Sequence, residues 1–246
     1  MSNYDLALIN GIDIPIVELA TVLHQPNMKE FSYLNESDLF KMIQYICVDK
    51  SSLVEDKSVL KDITNFQVLM KVVKESKHTD LLINFLSLFF PKARILLTPN
   101  SIILSYQEEN RNIIIDSDNF IYLQNCLREV LCVSSIFQGD NIVYNPVNEK
   151  AKAIADKLMR GRQKVAEIKG KNQGSVLARY ESILSIGLQM SIYEIQKYTM
   201  YQIFDAIERL NLKLDWDINL KVKLAGGDPK EDVENWEKDI HTRGGK

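Results

Sequence analysis

Paired cysteines, clustered histidines and long apolar runs are scarce in this sequence, and each shortage removes a class of protein. The 246 residues include three cysteines, Cys47, Cys126 and Cys132, an odd number with no C-x-x-C spacing. Cys126 and Cys132 fall in an apolar periodic stretch, where cysteine behaves as a small buried hydrophobe, so a reducing cytoplasm is expected rather than a disulfide framework. The three histidines, His24, His78 and His241, are scattered and form no H-E-x-x-H, so no metal centre is expected. The longest apolar run, "LLINFLSLFF" at residues 81–90, contains Asn84 and stops at Pro91. That is half a membrane span and reads as a buried helix. The N-terminus carries Asp5 and lacks a basic leader segment, so no signal peptide is expected.

Charge of one sign is also missing overall. The formal net charge is -3 and the pI about 5.7, so no global field draws the chain to DNA or to an anionic membrane. Catalytic signatures are absent too. "EIKGKNQGS" has a Gly-Lys but not the glycine spacing or the following Ser/Thr of a phosphate loop. No G-x-S-x-G elbow exists, and the acids at 215–217 and 231–239 lack calcium-loop glycine spacing. The chain is therefore expected to be neither an enzyme nor a cofactor carrier.

What is present is an ordinary globular composition, 46% hydrophobic and 26% charged, enough to bury a core. "YDLALINGIDIPI" sets Asn10-Gly11 between two short apolar runs, which predicts a tight β-hairpin. From Val17 to Cys47 the spacing becomes helical, with Leu39, Met42, Ile43 and Ile46 behind Asn35 or Ser37 as caps. Phe66, Leu69, Met70 and Val73 repeat the rhythm behind Thr64 or Asn65. Residues 93–115 are rich in β-branched side chains broken by Pro-Asn and Glu-Glu-Asn-Arg-Asn, which predicts two or three strands. Asp116, Ser117 or Asp118 then caps a helix through Phe120, Leu123, Leu127 and Leu131.

Residues 145–174 concentrate positive charge, with eight Lys or Arg against three acids between Glu149 and Lys171. Asn145-Pro146 suits a helix start. Ala151, Ile154, Leu158, Val165 and Ile168 form one stripe, while Lys150, Lys157, Lys164 and Lys171 recur every seven residues on another side with Arg160 and Arg162. This basic face reads as a solvated surface, as an interface for acidic proteins or, last, as a nonspecific grip on nucleic acid. It holds no aromatic residue for base stacking. Thr199 and Gln202 form a capping box ahead of "MYQIFDAIERLNLK". In "DWDINLKVKL" the apolar residues alternate as in a strand, yet the following Ala225-Gly226-Gly227 suits a helix end. Helix and strand both stay open there. Aromatics gather at this end, and Trp236, in an acidic helix, is the best candidate for a true contact.

The order of segments from Asn145 onward resembles a known family. "NPVNEKAKAIADKLMRGRQKVAEIKGK" looks like its hallmark basic block, and "KYTMYQIFDAIERLNLKLDWDINLKVKLAGG" looks like its second block. "VENWEKDIH" is similar to its terminal Trp-containing helix. The family consists of tail assembly chaperones and tail or baseplate morphogenesis proteins of bacteriophages that infect Gram-positive bacteria. The resemblance implies no active site. It implies a tail protein as partner, such as the tape-measure protein, action in the host cytoplasm during assembly, and no membrane. A permanent place in the virion tail or baseplate is the alternative, and a second copy of the chain is a further partner to consider.

The combined expectation is an α+β, predominantly α, protein in three parts. Residues 1–140 form a mixed domain with a small antiparallel sheet, 141–175 a basic amphipathic helix and flexible joint, and 176–246 a small helical domain. The candidate protein-interaction residues are Lys150, Lys157, Arg160, Lys164, Lys171, Trp216 and Trp236.

Overall fold

The computed structural model describes residues 5–47, 49–50, 63–133, 175–226 and 236–237. The expected basic helix, with Lys150, Lys157, Arg160, Lys164 and Lys171, lies outside the described residues.

The chain opens with helix α1 (Asp5–Ile9), where a hairpin was expected. Asn10-Gly11 does need a positive φ, and Gly11 has one of +64°, but the turn closes a helix. The Ile12 amide reaches the Ala7 carbonyl (2.9 Å) and the Gly11 amide reaches Leu8 (3.1 Å), the paired bonds of a Schellman C-cap. Asn10 Nδ2 adds a bond to the Leu6 carbonyl at 2.8 Å. The hairpin comes later. Strands β1 (Ile14–Ile16) and β2 (Thr21–Leu23) pair antiparallel around the 3-10 turn Val17–Leu19, with Ile14 opposite Leu23. Strand β2 interrupts the stretch from Val17 that the spacing had assigned to helix. Its alternation, Thr21 and Leu23 in and Val22 out, follows the two-residue period of a pleated strand.

Two helices follow, α2 (Met28–Phe31) and α3 (Glu36–Cys47). Helix α3 buries Leu39, Met42, Ile43 and Ile46, the stripe the spacing predicts, and Asn35 Oδ1 accepts the Ser37 amide at its start. Helix α4 (Asn65–Glu75) begins behind a Thr64–Gln67 capping box. Helix α5 (Thr79–Phe89) ends at Phe90, the residue before Pro91. Strands β3 (Arg94–Leu97), β4 (Ile102–Tyr106) and β5 (Arg111–Ile115) form an antiparallel meander in which Ile95, Leu104 and Ile113 align across the sheet. Helix α6 (Phe120–Val130) is preceded by Asn119 at the cap position, not by Asp116, Ser117 or Asp118. Asn119 instead receives the Asp116 amide on Oδ1, so the loop folds on itself before the helix begins.

The core lies between these helices and the inner face of the meander. Phe85 and Phe89 pack at 5.1 Å between ring centres, Phe31 meets Phe89 edge-on at 6.1 Å, and Phe66 tilts on Phe120 at 5.4 Å. One buried polar group ties three helices: Gln124 accepts from Asn65 Nδ2 (2.9 Å) and donates to the Ile46 carbonyl (2.8 Å). Helices α7 (Val176–Leu188), α8 (Ile192–Ile195) and α9 (Met200–Leu224) complete the described chain. Their Leu177, Leu184, Ile195, Met200, Tyr201 and Ile203 belong to the same continuous core as the N-terminal elements. The fold is thus α+β and mostly helical, with antiparallel sheets of two and three strands.

Candidate protein-interaction surface

Helix α7 is held at its start by two acceptors. Ser175 Oγ takes the Ala178 amide at 2.9 Å, and Glu36 Oε1 of α3 takes those of Val176 (2.7 Å) and Leu177 (3.3 Å). A carboxylate at this end also suits the positive end of the helix dipole. Gln189, with φ at +55°, ends α7, and a Ser191–Glu194 capping box starts α8. Hydrogen bonds from the Ser191 amide and hydroxyl hold the Glu194 carboxyl below its ordinary range. The turn after α8 then joins the N-terminal part by main chain. Asn27 and Thr199 form an antiparallel bridge, and the Met28 amide donates to the Tyr198 carbonyl at 2.9 Å. Gln202 completes the Thr199 capping box and donates from Nε2 to the Ile9 carbonyl at 2.8 Å.

Helix α9 settles the conflict at residues 214–224, where the segment is helical. A 25-residue helix that is already nucleated and capped extends by one hydrogen bond per residue added, and the alternating apolar side chains follow it. The helix is roughly 37 Å long at 1.5 Å per residue. Its first half packs through Met200, Ile203, Phe204, Ile207 and Leu210, with Phe204 edge-on to Tyr180 of α7 at 5.6 Å. At Gly187 of α7 the two helices meet so closely that a Cβ would fall 2.5 Å from a Leu210 methyl. Past Leu210 the same side of the helix continues as Leu214, Ile218 and Val222, exposed by 49%, 57% and 37%. The core-facing stripe therefore runs on beyond the core.

A second apolar surface faces outward on α7 and α8. Ile186 is 78% exposed and Tyr193 68%, and Ile183, Leu188 and Ile192 are exposed beside them in sequence. Single exposed apolar residues are ordinary on any surface, and their number on two successive helices makes this the candidate interaction surface.

Trp216 is half-buried on α9, and Trp236 is half-buried in a turn whose carbonyl accepts from Arg209 Nη1 at 3.4 Å. Sequence reasoning weighed the tryptophans and missed Ile186, Leu214 and Ile218. For the last two the available signal was the four-residue step that continues Ile207 and Leu210.

Elsewhere, a groove of about 740 Å³ lies beside α4 and the β3–β4 turn, lined by Phe66, Met70, Val73 and Leu97 with Lys71 and Lys74. Its lining includes no carboxylate, imidazole or thiol among the described residues. A smaller cleft of about 270 Å³ is lined by charged groups, several of them engaged with one another. His24 lies 2.9 Å from Asp13 and 3.3 Å from Glu30, while Arg111 meets Glu109 at 2.9 Å and stacks on Tyr106. Among the described residues no group of three or more His, Cys, Asp or Glu could hold a metal ion. No described helix is long and apolar enough to cross a membrane.

Residues 175–241 match the family described as the YomV second domain, which is phage-derived. The match supports a phage protein. It covers α7, α8 and α9, the part of the chain that carries both apolar surfaces. No curated protein and no solved structure matches the chain.

Proposed function

We propose that this chain is a phage protein of tail assembly that works by binding rather than by catalysis. It acts as a chaperone for a tail protein such as the tape-measure protein, in the host cytoplasm. A tape-measure chain presents long apolar helices before the tube encloses it, and exposed apolar helices aggregate. The observation that carries the reading is the outward apolar surface of α7 and α8, centred on Ile186 and Tyr193 within the phage-derived segment. Amphipathic helices of a client would lay their apolar faces along it, the helix-in-groove mode of recognition. Lys197, whose ammonium sits 5.0 Å over the Tyr193 ring, places a cation at the rim for acidic flanks of the client.

Two measurements test this. Co-expression with the tape-measure protein of the same phage yields a soluble complex, and the absence of both complex and solubility gain contradicts the proposal. Mass spectrometry of purified virions finds no copy of the chain. Stoichiometric copies in mature particles would make it a permanent tail or baseplate component instead.

A further inference from the structure

Resting on the client reading above, we propose that the helix received by α7 and α8 carries carboxylates at both ends of its apolar face, and that Lys29 of α2 helps to select it. Arg179, Ser182 and Ile186 follow a three-or-four spacing and so stand on one side of α7. Arg179 is exposed and lies two turns, roughly 10 Å, from Ile186 towards the start of the helix. At the other end of the surface the Lys197 ammonium covers the exposed Tyr193 ring. Lys29 joins that end from α2. It is exposed, and its amide donates to the Gln196 carbonyl at 3.1 Å, one residue before Lys197. Cations therefore bound the apolar surface, one towards the start of α7 and two beside α8.

The acids of these helices are already engaged or turned away. Glu30 takes the Asn27 amide at 2.8 Å and lies 3.3 Å from His24. Glu194 takes the amide and the hydroxyl of Ser191 at 2.9 and 2.8 Å. Glu181 is half-buried on the opposite side of α7 from Arg179, and burial raises its carboxyl. Arg179, Lys29 and Lys197 form no ion pair among the described residues. A positive rim around apolar side chains attracts an acidic client and repels a basic one, so it sets which amphipathic helices dock and how fast they arrive. The apolar centre supplies affinity without distinguishing among them. Lys29 lies outside residues 175–241, so the selection needs the N-terminal fold and not the family-matched segment alone.

An array of overlapping peptides spanning the tape-measure protein of the same phage, probed with the full chain, tests it. Bound peptides are expected to place Asp or Glu on both flanks of an apolar helical stripe, and added salt weakens their binding. Arg179→Glu/Lys29→Glu/Lys197→Glu, all at exposed positions, weakens those peptides by roughly three- to thirtyfold and gains peptides with Lys or Arg flanks. Lys29→Glu alone produces part of that loss. An unchanged far-ultraviolet circular dichroism spectrum shows that each variant is folded. Binding that ignores flank charge and survives the triple reversal, yet is abolished by Ile186→Glu/Tyr193→Glu, overturns this inference and leaves the client reading standing. Lys29→Glu that binds like the parent overturns the part given to Lys29. Binding unaffected by Ile186→Glu/Tyr193→Glu, or absent altogether, overturns both.

Discussion

Glu36 and Val176 stand 140 positions apart in the chain, and Glu36 Oε1 accepts the Val176 amide at 2.7 Å. This bond, together with the Asn27–Thr199 bridge, ties α7 and the start of α9 to the N-terminal elements. It caps the first turn of α7. Replacing Glu36 by Ala removes the acceptor for two amides and the charge at the dipole's positive end. The expected loss is about 1–2 kcal/mol. Glu36→Gln keeps an acceptor oxygen and loses less. Hydrogen exchange of the Val176 and Leu177 amides reads the effect directly, and unchanged protection in Glu36→Ala would refute the contact.

Gly11 is the second joint. With φ at +64° and the Thr199 Cγ2 3.3 Å from where its Cβ would be, Gly11→Ala meets both backbone strain and a crowded neighbour. A cost of about 1–2 kcal/mol is expected from the left-handed backbone alone. Urea titration measures it, and a stability equal to or above that of the parent would contradict the Schellman geometry at α1.

Phe89 anchors the interior, fully buried between Phe31 and Phe85, with its carbonyl taking the His24 amide at 3.0 Å. Phe89→Ala should lower stability by about 3–5 kcal/mol through lost contacts and a residual cavity. Ile114→Ala, at an exposed position of β5, serves as the comparison and should change stability little. Thermal unfolding followed by circular dichroism distinguishes the two.

The cysteines give a pH dependence with a definite sign. Burial pushes the Cys47 and Cys132 thiols up to about 12 and that of Cys126 to about 11. An unfolded thiol titrates near roughly 8.5, so above that pH the unfolded chain gives up protons that the folded one keeps. The stabilisation is complete below the unfolded value and is lost as pH rises toward the folded values. Urea midpoints should therefore fall from pH 8 to pH 10 and fall less in Cys47→Ala. Thiol titration at pH 8 should find the buried Cys47 slow in the native protein and all three groups fast in urea. Rapid reaction of three equivalents without denaturant would contradict the burial.

Much of the helical framework was legible because it is locally encoded. The three-or-four rhythm of Leu39, Met42, Ile43 and Ile46 and the caps at Thr64 and Thr199 need no knowledge of distant residues. Asn10-Gly11 was misread because a type I′ turn and a Schellman cap demand the same positive φ. Contacts with Thr199 and Gln202, far away in sequence, accompany the helical choice. The alternation at 214–224 was ambiguous because a two-residue period on a helix lays down two apolar stripes rather than one. Only the continuity of α9 shows which stripe extends the core-facing side. The outward surface of α7 and α8 could not be foreseen, because which face of α7 is covered depends on distant partners in α9, Phe204 against Tyr180 and Leu210 against Gly187.

The central claim is that the outward surface of α7 and α8 receives another phage protein. Affinity capture of the co-expressed tape-measure protein, comparing the parent chain with Ile186→Glu/Tyr193→Glu, tests it most directly. Both positions are exposed, so the variant keeps its fold and unfolds at the parental temperature. The account predicts capture by the parent and at least a tenfold loss in the variant. Equal capture by a folded variant, or none by either chain, would contradict it.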